Sequence, residues 1–85
     1  MAKHEKLLER MRQSRNGWGQ DDFRALYVGY GFSVTEGGNH MKIAHLRHSQ
    51  LRTTVARHNH LPRGYADTAL RLIELLLELE SQPEG

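Results

Sequence analysis

Cysteine is absent from this chain of 85 residues, proline occurs twice and tryptophan once. Without cysteine, disulfides and thiolate zinc sites are excluded, and the composition fits a reducing compartment. Long hydrophobic runs are missing as well. No stretch approaches membrane-spanning length, and Met1-Ala2-Lys3-His4-Glu5-Lys6 is charged where a signal peptide needs an apolar run. The chain is therefore read as cytoplasmic, with no membrane partner. Internal repeats and the Walker and dinucleotide glycine signatures are absent, and no linker is long enough to divide the chain. Residues 1–85 are expected to form a single domain with one modest core and, at most, a shallow site.

The most informative absence is one of charge. No Asp or Glu lies between Gly37 and Ala66, whereas Lys42, Arg47, Arg52, Arg57 and Arg63 fall there with His40, His45, His48, His58 and His60. The net charge is only +2, so distribution says more than the total. A central segment of one sign is the footprint of a surface that meets phosphates. Clustering in a solvated hairpin is the plainer alternative.

Hydrophobic spacing sets out the elements. Leu7, Leu8 and Met11 share one side of a helix from Lys3 to about Gln13, too short to stand alone in water. Ser14-Arg15-Asn16-Gly17 reads as a stop and a turn. A second helix begins near Asp21, with Asp21 or Asp22 as cap, carries Phe23, Leu26, Tyr27 and Tyr30 on one face, and ends at Gly31. Trp18 lies just before it and is read as a packing residue, since one isolated tryptophan makes no base-stacking groove.

Three short strands follow: Phe32 to Glu36, His40 to Leu46, and Leu51 to Arg57. Their short connections make the sheet an antiparallel meander. Period-two alternation then sorts the side chains into two faces. Phe32, Val34, Met41, Ile43, Thr53 and Val55 form the face that packs on the helices. Ser33, Thr35, His40, Lys42, Ala44, Arg52 and Thr54 form a polar, basic and uncovered one. A register slip of one residue would expose the apolar set, which fixes the assignment.

Gly37-Gly38-Asn39 is a tight hairpin turn placing His40 at a strand start beside Lys42. The chemical reading is a positioned acid/base at a phosphate-binding surface, and the plain one is a polar residue on a solvated strand. His58-Asn59-His60-Leu61-Pro62-Arg63-Gly64 is a loop. Its two histidines lack the third ligand that a zinc site requires, and a phosphate contact from His58 or Arg63 is the alternative to a purely loop role. No metal and no cofactor is expected. The last helix runs from about Tyr65 or Ala66 to about Leu79, with Ala69, Leu72, Ile73, Leu76 and Leu77 on one side and Leu70, Leu75 and Leu79 widening it. Three strands cannot cover that arc, so a second partner is implied. The N-terminal helix, another copy of the chain in a homo-oligomer, or a protein partner in a hetero-complex are the three ways to supply it.

The expected fold class is α+β, an α-β-β-β-α sandwich like the double-stranded-RNA-binding domain with an additional N-terminal helix. Phe23-x-x-Leu26, Gly31-Phe32, Gly38-Asn39-His40-Met41-Lys42-Ile43, Thr54-Val55, and His58 with Pro62-x-Gly64 before a leucine-rich helix resemble the HicA (YcfA-like) toxins. The resemblance divides the domain into a leading helix and turn (1–17), a HicA-like core (18–80) and a frayed tail (81–85).

The resemblance implies a ribosome-independent mRNA endoribonuclease, the toxin of a type II toxin-antitoxin system, with mRNA as substrate and a HicB-like antitoxin protein as partner. It places the working histidine, which ends a Gly-Ser-His motif in that family, at His40. Asn39 stands here where serine is usual, Ile43 where an aromatic is usual, and Ala56 where a proline often follows. The implied chemistry is metal-independent: His40 takes the proton of a ribose 2′-hydroxyl, which attacks the adjacent phosphate. Gly38, Asn39, Lys42, Arg52, His58 and Arg63 are the candidate RNA-binding residues, with His58 also a candidate for the acid. A non-catalytic RNA-binding module using the same face is the rival reading, and a chain that only binds its protein partner is a third.

Overall fold

The computed structural model describes residues 2–81. Its elements are α1 (Lys3–Gln13), α2 (Gln20–Gly29), β1 (Phe32–Gly37), β2 (His40–His45), β3 (Arg52–Ala56) and α3 (Arg63–Ser81). The strands form one antiparallel sheet in the order β1-β2-β3. The described residues thus form a small α+β domain of three helices and a three-stranded meander.

One face of the sheet is covered and the other is open. Phe32, Met41, Ile43 and Val55 are buried in a single cluster with Leu7, Leu8 and Met11 of α1, Phe23, Leu26 and Tyr27 of α2, and Ala66, Ala69, Leu70, Leu72, Ile73 and Leu76 of α3. Their alternates His40, Lys42, Arg52 and Thr54 are exposed. The expected assignment of faces therefore holds, and α1 lies against both α2 and α3. It supplies the second partner that the wide apolar arc of α3 required. Coverage does not reach all the way round the helix: Leu75 and Leu77 remain exposed, although Leu76 between them is buried and Leu79 beyond them packs against the core.

Helix boundaries differ from the sequence reading for local reasons. The cap of α2 is Gly19, not Asp21 or Asp22; Asp22 instead accepts a hydrogen bond of 2.9 Å from the Gly19 amide, in the first turn where a carboxylate favours the helix dipole. A Cβ at Gly19 would stand 2.4 Å from the Asn59 carbonyl oxygen, so only glycine lets α2 begin this close to the loop after β3. The Gln20 amide donates to the His58 carbonyl (2.9 Å), and the Leu61 amide to the Trp18 carbonyl (2.9 Å). Trp18 itself donates from Nε1 to the Ser14 carbonyl (2.7 Å) under the Arg10 guanidinium. It is a packing residue, as expected. These bonds fix the loop carrying His58 to the start of α2. At the other end of that loop α3 opens at Arg63, directly after Pro62, because proline is tolerated where no helical N–H is needed. Of the tail expected at 81–85, Ser81 ends α3 and the remainder lies outside the described residues.

Among the described residues no helix is long and apolar enough to cross a membrane.

Candidate nucleic-acid interface

The open face is a grid whose rows are set by the strand register. Gly37, His40 and Ala56 lie side by side in the first row, Thr35, Lys42 and Thr54 in the second, and Ser33, Ala44 and Arg52 in the third. None of these nine is acidic. Lys42 and Arg52 are exposed and have no carboxylate partner among the described residues, whereas Arg24, Arg47 and Arg63 are all engaged by one. The sheet therefore collects unneutralised positive charge on the side that the helices leave bare.

His40 owes its position to the turn before it. Gly37 and His40 pair directly across the hairpin, leaving Gly38 and Asn39 as a two-residue loop. Gly38 has φ of 57°, and among the described residues none other than glycine has positive φ. Positive φ at the first central position alone is the pattern of a type II′ turn, whose twist matches that of the strands. Asn39 thus occupies a position that serine fills without strain. Asn39→Ser is expected to shift stability by less than about 0.5 kcal/mol, measured by thermal denaturation. The imidazole of His40 stands in the open: its neighbours across the strands, Gly37 and Ala56, are among the smallest residues.

Of the other candidates, His58 comes to this end of the sheet. The Arg57 amide donates to the Asn39 carbonyl (3.0 Å) and its guanidinium to the Gly38 carbonyl (3.4 Å), so Arg57 braces the hairpin from the strand beyond. His58 follows it, exposed, on the loop tied to α2. Arg57 belongs to the basic segment but not to the candidate RNA-binding residues, because the register that brings it to the turn is not visible in the sequence. Further along, Arg52 donates from Nε to the Ser49 carbonyl (3.1 Å), and a shallow depression is lined by Lys42, Ala44, Arg52 and Thr54. Arg63 is elsewhere. It opens α3, with Nε 3.7 Å from Asp67, a carboxylate shared with Arg15.

Besides Arg63, three more basic residues of the acid-free segment do not join the face. Arg47 and His48 both reach Glu80 near the end of α3, and the Glu80 carboxyl is held below its ordinary value by the His48 hydrogen bond first and the Arg47 charge second. His45 is internal, 3% exposed. Its Nδ1 accepts the amides of Arg47 (3.0 Å) and His48 (3.2 Å), which leaves the proton on Nε2 to donate to the Tyr30 carbonyl (3.1 Å). The ring meets Phe32 edge-on at 4.9 Å. This histidine is a structural bolt.

No group of three or more His, Asp or Glu side chains among the described residues is placed to hold a metal ion. The chain matches no family model, no curated protein and no solved structure. What the site can do rests on its own residues: one exposed imidazole, two unpaired cations in successive rows, and hydroxyls between them.

Proposed function

We propose that this protein is an endoribonuclease that cleaves RNA on the open face of its sheet, with His40 as the general base. The observation that carries the reading is the placement of His40 and Lys42 on one exposed, acid-free surface. His40 accepts the proton of a ribose 2′-hydroxyl, and the oxygen attacks the adjacent phosphorus. The bond to the 5′-oxygen of the next nucleotide then breaks, leaving a 2′,3′-cyclic phosphate and a 5′-hydroxyl. Lys42, in the row beside His40, stabilises the additional charge on the phosphoryl oxygens, and Arg52, one row further along, holds the backbone. His58, at the same end of the sheet as His40 through the bond of Arg57 to Asn39, is the candidate for protonating the leaving oxygen.

One imidazole without a carboxylate is a poor donor set for a divalent ion, so the reaction is written without a metal. The resemblance of Gly38-Asn39-His40-Met41-Lys42 to the HicA toxins supports the same chemistry, the double-stranded-RNA-binding type of sandwich, an mRNA substrate in the cytoplasm and a HicB-like partner. Such a partner, or a second copy of the chain, would find Leu75 and Leu77 of α3 uncovered.

Incubating the purified protein with a defined mRNA fragment in excess chelator tests the proposal. The expected result is fragments ending in cyclic phosphate. Binding of the fragment with no cleavage, with or without added divalent ions, would replace it by the rival reading of an RNA-binding module.

A further inference from the structure

We infer that Lys42, with the hydroxyls of Thr35 and Thr54 on either side of it, forms a phosphate subsite one row from His40. Arg52 forms a second subsite in the following row, so that an RNA strand lies along β2 with its bases turned away from the protein. The inference rests on the endoribonuclease reading for the position of the cut and on the grid itself for everything else.

Rows on one face of a strand repeat every two residues, about 6.8 Å apart. That is close to the separation of successive phosphates in an extended nucleic-acid strand. His40 is the first row of β2, Lys42 the second, and Arg52 pairs with Ala44 in the third. One basic residue per row, on an open face whose three rows hold no carboxylate, is the arrangement that one backbone requires. The middle row is the best equipped. The register puts Thr35 and Thr54 directly beside Lys42 on opposite sides, and both are exposed. An ammonium flanked by two hydroxyl donors provides the point charge and the hydrogen bonds that a phosphate accepts.

In the third row the Ser33 hydroxyl is already committed to the Ala44 carbonyl (3.1 Å), so Arg52 acts there without a hydroxyl partner. The grid contains no Phe, Tyr or Trp. The large stacking platforms that usually read an unpaired base are missing, and the His40 ring and Arg52 guanidinium are engaged by ribose and phosphate. The face recognises backbone and ribose and is indifferent to sequence.

The probe is a short single-stranded oligoribonucleotide, 2′-fluorinated throughout so that no 2′-oxygen can attack, used in several base sequences and also annealed to its complement. Binding is measured against salt for the wild type, Lys42→Gln, Arg52→Gln, the double variant carrying both changes, and Thr54→Val. All three positions are exposed, and valine keeps the β-branched shape of threonine. The slope of log K against log salt should fall in magnitude by about 0.7 on removing either cation and by about 1.4 on removing both. Thr54→Val should weaken binding about fivefold with the slope unchanged. Changing the bases should leave affinity nearly constant, and the duplex should bind more weakly than the single strand. A slope untouched by Lys42→Gln and Arg52→Gln, or a duplex bound as tightly as the single strand, would overturn the inference. Binding does not depend on turnover: the predicted slopes from a protein that cuts no RNA would sink the nuclease reading alone, and cleavage with unchanged slopes would sink the subsites alone.

Discussion

Replacing His40 by alanine is expected to lower the rate of RNA cleavage by about 10²–10⁴-fold, the usual contribution of a positioned general base. The fold should be indifferent to the change. His40 is exposed at the start of β2 between Gly37 and Ala56, so its removal opens no cavity and leaves no buried group without a partner. A stability change within about 0.5 kcal/mol is expected, and equal thermal denaturation profiles would confirm that activity alone was lost. Binding of an uncleavable RNA should fall far less than the rate, because Lys42 and Arg52 remain. Equal cleavage by the two proteins would remove His40 from the mechanism.

The second large effect concerns the other end of the same strand. His45→Ala is expected to destabilise the fold by about 3 kcal/mol, the combined cost of a core cavity and of stranded backbone groups. Three lose their partner at once: the amides of Arg47 and His48 and the carbonyl of Tyr30. For a domain of this size that is roughly a 12–24 °C fall in melting temperature. His45→Phe separates the two costs, since it restores a ring against Phe32 but none of the hydrogen bonds; it should remain about 1–3 kcal/mol less stable than wild type. Wild-type stability in His45→Ala would contradict the structural role. Below their melting temperatures both variants should still cleave RNA, because His45 faces away from the open surface.

His40 and His45 together illustrate what the sequence made legible. Strand parity is a strong signal, because one register slip would expose Met41, Ile43 and Val55 together, and it correctly separated the exposed face from the core. The same parity places His45 with Met41 and Ile43, five residues from His40 and therefore on the opposite face. Its charge-bearing side chain drew it into the basic segment instead, since polarity is read more readily than phase. What rescues a buried histidine is a set of backbone partners, Arg47, His48 and Tyr30, contributed by a turn and by the end of α2, and no local pattern encodes them.

Tertiary partners account for the other differences. Gly19 caps α2 because Asn59, 40 residues later, passes within reach of a Cβ. Arg47, His48 and Arg63 looked available to phosphate until α3 supplied Glu80 and Asp67. Subtracting those pairs leaves the positive charge concentrated in the rows beside His40. The core of α1 was foreseen from Leu7, Leu8 and Met11; that α1 would serve as the missing partner of α3 was one of three possibilities that spacing left open.

The most direct test of the central claim, that His40 directs a ribose 2′-oxygen at the neighbouring phosphate, is a single atom in the substrate. Once a preferred cut in a defined RNA has been mapped, the same RNA is made with one 2′-deoxyribose immediately 5′ of that cut, and both are incubated with wild-type protein in excess chelator. Cleavage at the deoxy position is expected to disappear while cuts at other positions persist. Cleavage there at an undiminished rate would mean that the nucleophile is not the 2′-oxygen, and the role given to His40 would be wrong.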